Sequence, residues 1–198
     1  ESVDVLFLDF AKAFDKVPFK RLMSKLRSHG ISGKVKAWIE EWLRDRYQRV
    51  CVDGVESEWR RVSSGVPQGS VLGPILFLIF INDLDDGLQN WILKFADDTK
   101  IFGKINSLPD AMGLQMDLAR LLQWAREWQM TFNVEKCKVM HIGKNNEQFS
   151  YFMDGVKLGR VQLVKDLGLW VSDDLKVSNQ CIKAYSKGSQ MLGMINRT

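Results

Sequence analysis

Three aspartates are placed where they could do chemistry together: Asp9, and the adjacent pair Asp97 and Asp98. Asp9 ends the apolar, β-prone run Val3-Asp4-Val5-Leu6-Phe7-Leu8. The pair lies in the polar corner Ala96-Asp97-Asp98-Thr99, between Trp91–Phe95 and Lys100-Ile101-Phe102. If the two strands are neighbours, the carboxylates converge. Hard divalent cations such as Mg²⁺ take carboxylate oxygens and keep waters and substrate phosphates as their other ligands. Two such ions, roughly 3.5–4 Å apart, activate an attacking hydroxyl and stabilise the leaving oxygen of an in-line phosphoryl transfer. Taken singly, an aspartate at a strand tip or hairpin corner is more often a turn former or a solvated charge. The chemistry therefore depends on convergence, and convergence depends on the elements around these residues.

Those elements are legible from periodicity. After Pro18, the residues Phe19, Leu22, Met23 and Leu26 keep helical spacing until Gly30, and Val35, Trp38, Ile39, Trp42 and Leu43 repeat it. Arg49–Val52 and Glu58–Val62 flank Asp53-Gly54 and read as a hairpin. Ser63–Pro74 is rich in Gly, Ser and Pro and reads as a loop, followed by an apolar buried helix over 75–84. Ser107-Leu108-Pro109-Asp110 resembles a helix N-terminus, and Leu114, Leu118, Leu121, Leu122 and Ala125 continue one apolar face. Short strands are expected at 138–142, 151–153 and 167–171, and a terminal helix over 179–196.

The totals exclude several classes. At 198 residues and 45% hydrophobic composition the chain can bury a core of about one domain. A net charge of +4 and a pI near 8.9 suit a polyanionic partner without requiring one. Cys51, Cys137 and Cys181 are odd in number and lack metal-ligand spacing, which argues against a disulfide framework or a zinc site and for a reducing compartment. The apolar run Ile75–Ile81 is far short of the roughly 20 residues a membrane span needs, so no membrane is expected as a partner. Glu1-Ser2-Val3-Asp4 lacks an initiator methionine and the order of a signal peptide. An intracellular site, nuclear or cytoplasmic and not secreted, is expected for a piece of something longer.

Three ordered motifs carry a resemblance: Leu8-Asp9-Phe10-Ala11-Lys12-Ala13-Phe14-Asp15, Gly65-Val66-Pro67-Gln68-Gly69-Ser70-Val71-Leu72-Gly73-Pro74 and Phe95-Ala96-Asp97-Asp98. Together they resemble the palm motifs of reverse transcriptases from LINE-type, non-LTR retrotransposons of the CR1 and jockey-like groups. Phe132-Asn133, Lys136-Cys137-Lys138 and Lys165-Asp166-Leu167-Gly168 are similar to the family's next motifs, so the likeness runs through most of the chain. Phe95 departs from the tyrosine found in many members.

The resemblance implies an α+β fold, the polymerase palm, with a ferredoxin-like antiparallel sheet and helices on one face. It implies a palm fragment over 1–198, with fingers incomplete, thumb largely absent and no endonuclease. Asp9, Asp97 and Asp98 would be both catalytic residues and ligands of two Mg²⁺ ions, with Mn²⁺ an alternative. Phe10, Phe14, Gln68, Gly69 and Lys136 would bind substrate: Phe14 as a steric gate against a ribose 2′-hydroxyl, Gln68 and Gly69 against the nucleotide and template, Lys136 near the leaving pyrophosphate. The partners would be template RNA, a DNA primer and a dNTP, with the oligomeric state open. From the residues alone, Phe14 reads rather as a core aromatic and Lys136 as a solvated cation, and the Gln68-Gly69 loop is as readily a helix cap. The arginines of the first hairpin and Lys100 are candidate phosphate contacts.

Two other readings compete. A catalytically silent retroelement remnant, at most binding nucleic acid, fits a truncated chain. A two-metal nuclease uses the same carboxylates but leaves the Pro67-Gln68-Gly69 loop without a purpose.

Overall fold

The computed structural model describes residues 1–197 and organises them around a five-stranded sheet. Strand β1 (Val3–Leu8) leads through a single turn, α1 (Ala13–Lys16), into helices α2 (Phe19–Ser28) and α3 (Gly33–Leu43). Four two-residue strands follow: β2 (Tyr47–Gln48), β3 (Cys51–Val52), β4 (Val55–Glu56) and β5 (Arg60–Arg61). β2 pairs with β5 and β3 with β4, so they form one narrow ribbon turning at Asp53-Gly54. Next come α4 (Leu72–Phe80), β6 (Trp91–Phe95), β7 (Asp98–Lys104), the long α5 (Leu108–Trp128) and β8 (Lys138–Ile142). β9 (Phe152–Met153) pairs with β10 (Val156–Lys157), and β11 (Gly159–Arg160) joins the main sheet. The hairpin of β12 (Leu163–Asp166) and β13 (Leu169–Ser172) and the helix α6 (Ser178–Ile195) close the order.

The sheet runs β11-β8-β1-β7-β6. Its four longer strands are antiparallel and follow the split β-α-β order of the ferredoxin-like arrangement. The edge departs from the expected all-antiparallel sheet: the β9–β10 hairpin reverses the chain, and β11 returns parallel to β8 through Gly159 and Arg160. The register aligns Leu6 with Ile101 on one side and Val139 on the other. Asp4, Leu6 and Leu8 are buried, while Val3, Val5 and Phe7 on the other face are only half-buried. Leu114, Leu118 and Leu121 of α5 are fully buried on the covered side. Each such leucine contributes about 1.5–3 kcal/mol of burial.

Buried polar groups fix how the helices sit. Asp117 of α5, fully buried, accepts from the backbone N–H groups of Gln89 and Asn90 and from Asn90 Nδ2 and Arg120, which anchors the loop that feeds β6. Lys25 of α2, 2% exposed, pairs with Asp83, and its ammonium lies 3.5 Å from the centre of the Trp128 ring. Asp83 also accepts from Trp124 Nε1 at 2.9 Å, so α2, the turn after α4 and α5 share one cluster. At the N-terminal half of β1, Asp4 accepts from Tyr151 Oη at 2.6 Å and Asn146 Nδ2 at 2.7 Å and pairs with His141 Nδ1 at 2.7 Å.

One helix start and one helix cap differ from the sequence reading. α4 begins at Leu72, three residues before Ile75, because Pro74 falls in the first turn, where its missing N–H has no partner to lose. Ser70 Oγ accepts the Gly73 N–H at 2.9 Å and so caps that turn. At α5 the Ser107 hydroxyl does not cap the helix backbone. It donates to Asp110, whose carboxylate also accepts the Asn106 N–H at 2.9 Å.

Candidate active site

The pairing of β1 with β7 decides the site. Leu8 stands opposite Thr99, so the next step along each strand sets Asp9 beside Asp98. Asp9 is held by its own main chain, since its carbonyl accepts the Asn133 N–H at 2.7 Å and Ala11 N–H reaches the Thr131 carbonyl at 2.8 Å. On the other strand, β6 and β7 are paired up to Phe95 and Asp98, leaving Ala96 and Asp97 as a two-residue turn. Ala96 sits at φ +52°, a left-handed conformation that costs a residue with a Cβ about 1–2 kcal/mol. Such turns match the twist of the strands they join, and this one places two consecutive carboxylates at the tip.

Asp9, Asp98, Thr99, Lys136, Lys165 and Asp166 are among the residues lining a cleft of about 240 Å³ at this end of the sheet. Lys136 Nζ lies 3.5 Å from Asp9 Oδ2, an otherwise buried oxygen that accepts no hydrogen bond. The Thr99 hydroxyl beside it is also buried without a partner. Burial pushes the Asp98 carboxyl above its ordinary range, repulsion from Asp97, Asp166 and Asp9 adds to the effect, and Lys100 opposes it. Crowded acids of this kind are a mark of sites that bind cations or move protons.

Among the described residues, no three His, Cys, Asp or Glu side chains form a ready-made cage for one ion. The donors nevertheless suit hard cations in kind: carboxylate oxygens, one of them buried without a hydrogen bond, under like-charge repulsion that a cation would relieve. Asp9 and Asp98 line the cleft and Asp97 stands next to them in the turn outside its lining; these are the residues that could hold such ions, with waters and substrate phosphates filling the remaining positions.

The other candidates scatter around this cleft. Lys136 is in it and well exposed. The Phe10 ring is 3% exposed and stacks on Phe132 at 4.2 Å, so its side chain is part of the core and has no free face for a substrate. Phe14 is half-buried and stacks on Phe77 at 4.4 Å. Gln68 is exposed and lines a second groove, with its Nε2 3.5 Å from Asp15 Oδ1, while Gly69 is exposed at φ +85°. Lys100 is a correction: it is paired with Asp166 of β12 and only 15% exposed, so it is not a free phosphate contact. Of the ribbon arginines, Arg49 pairs with Glu56 and Arg61 with Asp45.

Asp166 is the residue that sequence reasoning missed. It lies within a recognised segment, but nothing local to Lys165-Asp166 signals a partner 66 positions away. The hairpin that carries it closes the cleft wall opposite Asp9.

A five-stranded sheet of this order with a carboxylate cleft at the strand ends is the frame of a nucleic-acid polymerase palm. The sequence pattern of the family "Reverse transcriptase (RNA-dependent DNA polymerase)" matches residues 2–194, and the chain belongs to that family. Its relatives include the RNA-directed DNA polymerase from the mobile element jockey of Drosophila melanogaster, 32% identical over 87% of this chain and 20% of that protein. Another is the probable RNA-directed DNA polymerase from transposon BS of the same fly, 32% identical over 69% of this chain and 16% of that protein. The chain thus spans about a fifth or less of the length of these relatives. In fold it is similar to telomerase from Candida tropicalis, solved with a fragment of telomeric RNA: the TM-score is 0.57 and the identity 12%, over 89% of this chain and 30% of that one. No helix among the described residues is long and apolar enough to cross a membrane.

Proposed function

We propose that this chain is the nucleotidyl-transfer centre of an RNA-directed DNA polymerase of a non-LTR retrotransposon. Its substrates would be a template RNA, a DNA primer with a free 3′-hydroxyl and a dNTP. The single observation that carries the reading is the convergence of Asp9 and Asp98 on one cleft, where a buried Asp9 oxygen accepts no hydrogen bond and faces the Lys136 ammonium at 3.5 Å. Asp9, Asp97 and Asp98 hold two Mg²⁺ ions, for which Mn²⁺ can substitute. When bound, such ions activate an attacking hydroxyl and stabilise the charge of an in-line phosphoryl transfer.

The chain's own residues do the rest. Carboxylates fixed at two adjacent strand ends hold their positions without reorganising, because the sheet register sets their spacing. Lys136, whose ammonium faces Asp9, offsets negative charge on the departing pyrophosphate. Phe14, wedged against Phe77, has little room to yield, and a ring fixed in that way suits a gate against the ribose 2′-hydroxyl. Gln68 and Gly69, exposed on the loop before α4, meet the nucleotide and template. The palm assignment over 1–198 leaves the other polymerase segments to a longer protein. Three unpaired thiols suit an intracellular, reducing compartment.

Primer extension on an RNA template with dNTPs and Mg²⁺ tests the reading, with Asp97→Ala as the control. Incorporation by the wild-type chain that disappears in Asp97→Ala is the expected result. No incorporation by either protein rejects polymerase activity for this chain.

A further inference from the structure

The narrow ribbon β2–β5 has no role in the reading above, yet its composition is unlike that of a structural hairpin. Every residue of its four strands is exposed, so its aromatics are not core residues. Tyr47 is 57% exposed and Trp59 60% exposed. The pairing of Tyr47 with Arg61 puts both on one face, and the Arg49 guanidinium lies 4.6 Å from the centre of the Trp59 ring. That face therefore alternates two aromatics with two arginines. Diagonal neighbours on a two-stranded ribbon are about 7–8 Å apart, close to twice the ~3.4 Å rise per nucleotide of a strand.

At the base of the ribbon this face runs into the second groove, about 480 Å³ in volume, which separates it from α1 and the loop before α4. Lys12, Arg46 and Arg61 line the groove, against a single acid, Asp15. Among the described residues neither Lys12 nor Arg46 is paired with a carboxylate. Arg46 is held in place by donating to the Gly65 and Leu43 carbonyls at 2.8 and 3.3 Å. Arg61 and Arg49 do have acidic partners, but these are exposed pairs of the kind that contribute at most about 1 kcal/mol and exchange readily for phosphate. Lys12 itself adopts φ +54°, a strained conformation for a lysine.

We infer that the ribbon and the groove at its base bind an unpaired nucleic-acid strand, with bases stacked on Tyr47 and Trp59 and phosphates seated at Arg46, Lys12 and Arg61. This deepens the polymerase reading, on which it rests, by naming the element that holds unpaired template. Exposed aromatic faces beside cations engage single strands because every unpaired base offers a π-face, whereas a duplex keeps its bases stacked on one another. Cations continue from the groove to Arg49 on this face, farther than one triphosphate requires, while Asp53, Glu56 and Glu58 leave the outer ribbon close to neutral. A protein partner would be drawn instead to the apolar tip at Val50, Val52 and Val55.

Fluorescence anisotropy of the chain with a labelled, mixed-sequence oligonucleotide of about 12 residues, without Mg²⁺ or dNTP, tests the inference in RNA and DNA versions. Tyr47→Ala and Trp59→Ala are each expected to weaken binding about tenfold or more, in line with the loss of one stacked base. Arg46→Gln should reduce the slope of log K against log salt by about 0.7, one single-strand phosphate contact. Because Arg46 also braces a loop, Arg61→Gln, whose side chain among the described residues hydrogen-bonds to Asp45 alone, is measured beside it and should do the same. Trp91→Ala, an exposed aromatic on the edge strand β6, should change nothing. Ribbon-dependent binding of either oligonucleotide supports the inference and identifies the backbone it prefers. Binding that is indifferent to Tyr47 and Trp59, stronger for a duplex of the same sequence, or displaced by a dNTP alone overturns it. A chain that extends primers while its ribbon variants bind RNA normally refutes the ribbon and leaves the polymerase standing. Ribbon-dependent binding without extension does the reverse.

Discussion

Breaking the Lys100–Asp166 pair tests how the cleft is built. Lys100 lies two residues beyond Asp98 on β7, and Asp166 ends β12, so this contact ties the hairpin β12–β13 to the sheet that carries Asp98. The side chains are 15% and 21% exposed, between the surface and the interior. Two unit charges 4 Å apart attract by about 4 kcal/mol at an effective dielectric constant near 20. Desolvation of both groups takes back a large part of that. A coupling energy of about 1–3 kcal/mol is left, above an exposed pair and below the 3–5 kcal/mol cost of orphaning a fully buried charge. Urea unfolding of Asp166→Asn, Lys100→Met and the double variant measures it as a double-mutant cycle. Effects that simply add, within about 0.3–0.5 kcal/mol, would refute the pair as a tie.

The same variants carry a second signature that a merely structural contact lacks. The Asp98 carboxyl is held above its ordinary range first by burial and then by Asp97, Asp166 and Asp9, with Lys100 pulling the other way. Removing the charge of Asp166 should lower it, and removing that of Lys100 should raise it. If extension needs Asp98 ionised, the acid limb of the pH–rate profile moves to lower pH in Asp166→Asn and to higher pH in Lys100→Met. A raised carboxyl favours folding below its unfolded value and ceases to as pH rises through the folded one, so Asp98 slightly destabilises the protein at neutral pH. Limbs that move in the same direction in both variants would sink this account of the site's electrostatics.

Other perturbations probe the scaffold and the proposed role of Phe14. Asp4→Ala leaves the buried donors of Tyr151 and His141 unmatched and should cost about 3–5 kcal/mol in urea unfolding. Burial acts to raise the Asp4 carboxyl, but hydrogen bonds from His141, Tyr151 and Asn146 outweigh it and hold it below its ordinary range. Its contribution is therefore full above about pH 4 and lost as pH falls through the lower folded value. Asp4→Asn should flatten the acid side of the stability profile, and an unchanged acid side refutes the assignment. Gly65→Ala should destabilise by about 2 kcal/mol or more, because its Cβ would stand 2.6 Å from the Asp15 carbonyl oxygen at φ +92°. A thermal melt within experimental error of wild type would contradict it. Phe14→Ala should raise ribonucleotide incorporation relative to deoxyribonucleotides in single-nucleotide extension, and an unchanged ratio removes Phe14 as the gate.

Local chemistry was legible and long-range pairing was not. β1, α2, α3 and α5 announce themselves because their apolar period, and for α2 its stop and for α5 its start, lie within one short window, as at Phe19, Leu22, Met23, Leu26 and Gly30. The carboxylate tips were legible for the same reason: Asp9 and Asp97-Asp98 each close a β-prone run. The start of α4 was misplaced because Gly73-Pro74 has the composition of a loop, and only the Ser70 hydroxyl, bonded to Gly73, shows a helix already begun. Lys100 and Asp166 were beyond reach on different grounds. A solvated lysine and a phosphate-binding lysine look alike in sequence, and what separates them is a partner brought near by the path of a later hairpin. Phe10 and Phe14 illustrate the same limit. They are four residues apart on one segment, yet Phe10 stacks on Phe132 inside the core while Phe14 stacks on Phe77 with one side still open. The strand fixes where each backbone atom goes, but the packing of α4 and of the 131–133 segment decides which ring remains available to a substrate. Motif identity therefore places charge reliably at a strand tip and assigns aromatic roles only after the neighbours that bury them are known.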